Sequence, residues 1–80
     1  MQMAIEFIKS QINIDDLSNA VSKSFYHKQP LHMTDSNLHD KIYDLLEEYG
    51  QDNDLPENWW YNYTDDIEDI AGWVLESENK

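Results

Sequence analysis

The sequence predicts an all-α fold: a small antiparallel four-helix bundle with a long acidic and aromatic loop between helices 3 and 4. Three observations predict it. Apolar residues recur at helical spacing in four separate segments. Eighty residues make one domain, spanning 1–80. The segments are short and connect up-down, for which an antiparallel bundle is the economical packing.

The first helix is expected over about residues 3–11, where Ala4, Ile5, Phe7, Ile8 and Ile12 mark a broad apolar face. Asn13 then reads as an N-cap, with Asp15 and Asp16 in the first turn, where acids favour the helix dipole; Asp16 sits at the capping-box distance. The second helix continues to about Phe25 or Tyr26, with Ile14, Leu17, Val21 and Phe25 expected inward. Pro30 breaks the pattern and leaves residues 27–34 as a connection.

In the third helix, Leu38, Ile42, Leu45, Leu46 and Tyr49 form one apolar stripe, with Thr34 or Ser36 as the expected cap. Asp40, Asp44, Glu47 and Glu48 form an acidic stripe almost opposite. Like charges one turn apart cost about 0.2–0.5 kcal/mol per pair, and nothing in the fold requires that cost. Gly50 suits a position just past the helix end. The fourth helix is expected over about residues 65–77, capped by Thr64 or Asp65, with an Asp65–Glu68 capping box. Ile67, Ile70, Ala71, Val74 and Leu75 make its buried stripe; Asp65, Asp69 and Glu76 lie opposite, with Trp73 beside them. Gly72, in mid-helix, costs about 1 kcal/mol relative to Ala, and close helix packing is its expected reason.

Between these helices lies a connection from Gly50 to Tyr63. Connections of this length without structure of their own are uncommon in small domains and are often functional. Its first part is acidic (Asp52, Asp54, Glu57) and its second aromatic (Trp59, Trp60, Tyr61, Tyr63). Leu55 and one indole are expected to fold back on the core. Adjacent residues point in different directions, so Trp59 and Trp60 are not expected to bury together. A short hairpin over 58–64 is the alternative, since Trp and Tyr favour strands.

Charge is divided unevenly along the chain. Residues 1–34 hold three acids and three lysines and sum to zero; residues 35–80 hold fourteen acids against Lys41 and Lys80 and carry the whole net charge of −12. There is no arginine. Direct nucleic-acid binding and attachment to an anionic membrane are therefore excluded as expectations, because both need cations. A basic protein is the complement, captured by long-range attraction that weakens with salt. No run approaches the roughly 20 apolar residues that span a bilayer. The start lacks a secretory pattern and there is no cysteine, so a cytoplasmic location is expected. Ten aromatics interleaved with the acids argue against disorder.

Catalytic chemistry finds little support. There is no cysteine nucleophile and no serine in a nucleophile elbow. His27, His32 and His39 are not spaced as ligands on one helix face. Asp52-Asn53-Asp54 looks like the start of a calcium loop, but Glu57 stands where the loop needs Gly and Tyr63 where it needs Glu. No enzyme activity, metal or cofactor is expected. Any one carboxylate has an ordinary reading as solvated surface; so many in one half do not, because solubility needs fewer charges spread more evenly. The expected partner-binding residues are Asp44, Glu47, Glu48, Asp52, Asp54, Glu57, Asp65, Asp66 and Asp69 for charge, with Trp59, Trp60 and Tyr61 as anchors. Each aromatic has an even competing reading as a cap on the core.

The layout resembles the colicin D immunity-like family. The resemblance rests on Ala4-Ile5-Glu6-Phe7-Ile8 with Ile12 through Leu17, and on Ile42 through Glu48 followed by the acidic loop Asp52–Pro56. It extends to the closing helix, Asp65 through Ile70 to Val74-Leu75-Glu76. It covers most of the chain as a pattern. Ser10-Gln11 stand where a turn glycine is expected, and the aromatic run 59–63 is not a family feature. The resemblance implies a cytoplasmic immunity protein, a helical inhibitor binding one-to-one to a basic nuclease toxin, usually a tRNase, of a bacteriocin or contact-dependent growth inhibition system. Such proteins cover the active site with carboxylates placed where RNA phosphates would sit. A phage-encoded DNA mimic that blocks a host defence enzyme is the alternative. It would carry acids in rows spaced like DNA phosphates on an elongated, often dimeric body. An acidic adaptor or antitoxin is the third class.

Overall fold

Every regular element among residues 2–78, which the computed structural model describes, is helical. The helices are α1 (Gln2–Gln11), α2 (Ile14–His27), α3 (Leu31–Thr34), α4 (Ser36–Asp52) and α5 (Ile67–Glu78), with a 3₁₀ turn at Trp59–Asn62 between the last two. The all-α expectation holds. The inventory of elements differs in two places. The connection around Pro30 contains the short helix α3, held because Leu31 is fully buried. The hairpin alternative over 58–64 gives way to the 3₁₀ turn.

Local chemistry explains most of the boundaries. Asn13 caps α2: its side chain accepts from the amides of Asp15 at 2.8 Å and Asp16 at 3.2 Å. The helix stops at Lys28, in the left-handed region at φ 55°, whose N–H bonds back to the Phe25 carbonyl. Asp35, not Thr34 or Ser36, caps α4 by accepting from Leu38 N at 3.0 Å. Gly50 does not end that helix, which runs on to Asp52.

At α5, Thr64 Oγ1 accepts from Asp66 N at 3.1 Å, and Asp66 Oδ1 accepts from Glu68 N at 2.9 Å. The expected Asp65–Glu68 box does not form. Glu68 turns inward instead, accepting from the backbone N–H of Leu31 and lying 3.2 Å from Ser24 Oγ. It thereby ties α5 to the corner between α2 and α3.

The core is one cluster. It takes Ala4, Ile5 and Ile8 from α1, Ile42, Leu45 and Leu46 from α4, and Ile67, Ile70, Ala71 and Val74 from α5. α5 packs against α1, α2 and α4, so its apolar stripe lies at the centre. Two expectations fail here. The buried line of α2 is Leu17, Ala20 and Ser24, and Phe25 is 86% exposed. The line is rotated from the expected one, because Glu68 and the turn at Gln29 draw Ser24 inward. Gly72 does not serve close packing: a Cβ there would meet nothing within 4 Å.

Candidate partner-binding face

The aromatic segment is where structure and sequence diverge most. Trp59 and Trp60 are both buried, at 8% and 2% exposure. Asn58, left-handed at φ 59°, starts a tight 3₁₀ turn that directs both indoles inward despite their adjacency. Trp59 donates from Nε1 to the Leu46 carbonyl at 3.0 Å and packs on Tyr49, their ring centroids 5.4 Å apart. Trp60 lies under Tyr43 and Tyr61. The two indoles are therefore core residues and are not free to serve as surface anchors. Leu55, expected to fold back, is 39% exposed.

Exposed aromatic surface here belongs to tyrosines. Tyr61 is 53% exposed, as the anchor expectation requires; Tyr43 and Tyr63, not among the expected site residues, are 37% and 55% exposed. Tyr43 was recoverable from the sequence. It stands one turn before Glu47 and beside Asp44, on the flank of the acidic stripe.

Negative charge converges on this tyrosine. Glu47 holds the Tyr43 phenol above its ordinary pKa, helped by partial burial and by Tyr61 and Glu57 nearby. Glu47 and Glu57 also face one recess of about 340 Å³, walled by Leu55, Pro56 and Trp59. Glu47 is half-buried, unlike the rest of its stripe, and its Oε1 is covered without a hydrogen-bond partner. Glu47, Glu57 and Tyr61 are thus brought together around Tyr43.

A second group forms at the start of α5, where Asp65, Asp66 and Asp69 are all exposed. Thr64 links two of them, donating to Asp69 Oδ2 at 2.8 Å while accepting from Asp66 N. These two also have a structural task, since they build the entry to α5. Asp69 further faces a recess shared with Phe25 and Lys28. Asp44, Glu48, Asp52 and Asp54 are exposed along α4 and just beyond its end, outside both groups.

The ion pairs among the described residues join Lys9 to Glu6 and Glu78, and His39 Nδ1 lies 3.3 Å from Asp40 Oδ1. None involves any of the nine carboxylates expected to bind a partner. His32 and His39, from α3 and α4, meet edge-on with ring centroids 5.7 Å apart. No cluster of three or more His, Cys, Asp or Glu among the described residues could hold a metal ion. No described helix is long and apolar enough to cross a membrane.

No protein-family model matches this chain, and no curated protein or solved structure shows significant similarity to it.

Proposed function

We propose that this protein is an immunity protein: a stoichiometric inhibitor that covers the active site of a basic nuclease toxin, a tRNase in the resemblance described above. We read its four longer helices as an antiparallel bundle and its place of action as the cytoplasm. One observation carries the proposal. Nine carboxylates on α4, the following loop and the start of α5 are left without an ion pair among the described residues, although the chain carries a net charge of −12.

Mutual repulsion among these groups opposes folding, and no ion pair among the described residues relieves it. An external basic surface does. Carboxylates arrayed this way compete with RNA phosphates for the same cationic cleft, and they raise the rate of encounter more than the lifetime of the complex. Lifetime then falls to desolvated contacts, for which the exposed Tyr43, Tyr61 and Tyr63 are available rings.

The test is functional. Proteins captured from the source cell by the tagged chain are assayed for RNA cleavage, with and without added chain. The expected result is a basic nuclease whose cleavage stops at one equivalent. Its association should slow when Asp44→Lys and Glu48→Lys are combined, and slow further with salt. A captured nuclease that cleaves equally well at saturation, or binding indifferent to both charge reversal and salt, would overturn the proposal.

A further inference from the structure

Tyr43 and Tyr61 both stand against Trp60. Each ring meets the indole nearly at right angles, with centroids 5.9 Å away for Tyr43 and 4.4 Å for Tyr61. The indole is sealed beneath, while both phenols keep a face in solvent. Beside them the Glu47 and Glu57 carboxylates face the recess walled by Leu55, Pro56 and Trp59. The patch therefore combines exposed aromatic faces, two carboxylates and an apolar wall.

A separate observation marks the same place. Among the described residues, two buried side-chain polar atoms lack a hydrogen-bond partner, Glu47 Oε1 and Trp60 Nε1, and both belong to this patch. Buried polar groups in folded chains are nearly always paired. Trp59, the neighbouring indole, does find a partner in the Leu46 carbonyl. Of these two atoms the Glu47 oxygen is an acceptor, the kind of group a cationic donor satisfies, and it lies where the exposed rings and the acids coincide.

We infer that this patch seats an arginine side chain of the basic partner, its guanidinium stacked on the exposed Tyr43 and Tyr61 rings and hydrogen-bonded to the Glu47 and Glu57 carboxylates. This rests on the reading of the acidic face as a partner surface and names the group that face recognises. Arginine fits better than lysine for two reasons. Its flat, weakly hydrated guanidinium lies on an aromatic ring, whereas an ammonium keeps its water. Its fork of donors reaches two carboxylates at once, and the unpartnered Glu47 oxygen is an acceptor for such a donor.

The test uses the intact protein with hexa-arginine and hexalysine as probes, followed by isothermal titration calorimetry at about 0.15 M salt. Hexa-arginine is expected to bind roughly five- to tenfold tighter than hexalysine. Tyr61→Ala and Glu57→Gln, both at exposed positions, should each remove most of that difference while leaving hexalysine binding little changed. Equal affinity for the two peptides, or a preference that survives both substitutions, would overturn the arginine seat and leave the acidic face standing. Failure of both peptides to bind would remove the acidic-face reading as well.

Discussion

Gly50 and Trp59 are fitted to one another: a Cβ on residue 50 would lie 2.6 Å from Trp59 Cδ1 and 2.8 Å from its Nε1. The same nitrogen donates to Leu46 four residues earlier on α4, so the indole has no freedom to retreat without losing that bond. Gly50→Ala should therefore destabilise the protein, although alanine is the better helix former. The propensity gain of about 1 kcal/mol is outweighed by an overpacking cost of about 1–3 kcal/mol together with the strained Trp59 hydrogen bond. Chemical denaturation measures the balance, and a stabilised variant would show that the indole is not locked in place.

Gly72 gives the opposite sign. It sits inside α5 with open space where a Cβ would go. Gly72→Ala gains helix propensity without a clash and should raise stability by about 0.5–1 kcal/mol. The two glycines thus make a matched pair, tested by one denaturation series on one protein. Equal effects of the two substitutions would be incompatible with the packing described here.

These glycines also show what periodicity reveals and what it hides. Spacing located α1, α2, α4 and α5, because each buries a stripe long enough to repeat, and Asn13 marked the start of α2 by side-chain chemistry alone. Four-residue α3 is too short to carry a period, and the 3₁₀ turn depends on a left-handed Asn58 and on the gap that Gly50 leaves in α4. Burial of both Trp59 and Trp60 was illegible for that reason: it needs two distant backbone features at once. The carboxylates that bear the charge were legible as exposed positions, since helix faces and loops decide them. The inward turn of Glu68 was not, because its partners, Leu31 N and Ser24, are remote in sequence.

Burial separates the roles of neighbouring aromatics. Trp60 is 2% exposed and Tyr61 53% exposed. Trp60→Ala should cost about 3–5 kcal/mol of stability, and any loss of partner binding should follow from unfolding. Tyr61→Ala loses only its edge-on contact with Trp60, should cost about 0.5–1.5 kcal/mol of stability, and should still weaken partner binding. Thermal denaturation and calorimetric titration, run on both variants, separate the two effects. A folded, fully stable Trp60→Ala variant would contradict the buried placement of this indole.

Glu68 predicts a structural cost unconnected with the proposed partner-binding residues. Its carboxylate accepts from the Leu31 backbone N–H, at the first residue of α3, and lies beside Ser24, the one buried polar residue in the described chain. Glu68→Ala leaves that amide without its side-chain acceptor and should cost about 1–3 kcal/mol. Glu68→Gln keeps an acceptor oxygen and should recover about half of the loss. Amide hydrogen exchange localises the effect: protection should fall at Leu31 and through α3 and stay level in α1. A uniform fall across all helices would mean that the α2–α3 corner does not depend on this contact.

Tyr43 makes the pH dependence testable. Its phenol is held above the ordinary value of 10.0, first by the charge of Glu47, then by burial, Tyr61 and Glu57. The folded chain therefore keeps this proton at pH values where the unfolded chain has released it. Stability falls with pH wherever the unfolded state binds fewer protons, so the Tyr43 contribution is intact below pH 10.0 and is lost as pH rises through the folded pKa. The chain holds four further tyrosines and five lysines, so the quantity to measure is a difference between parent and variant. The denaturation free energy of the parent should fall more steeply above pH 10 than that of Tyr43→Phe, and the two curves should run parallel below it. Glu47→Gln removes the largest cause of the shift and should move the Tyr43 phenolate absorbance transition to lower pH. A transition unmoved by that substitution would place the negative charge felt by Tyr43 somewhere other than Glu47.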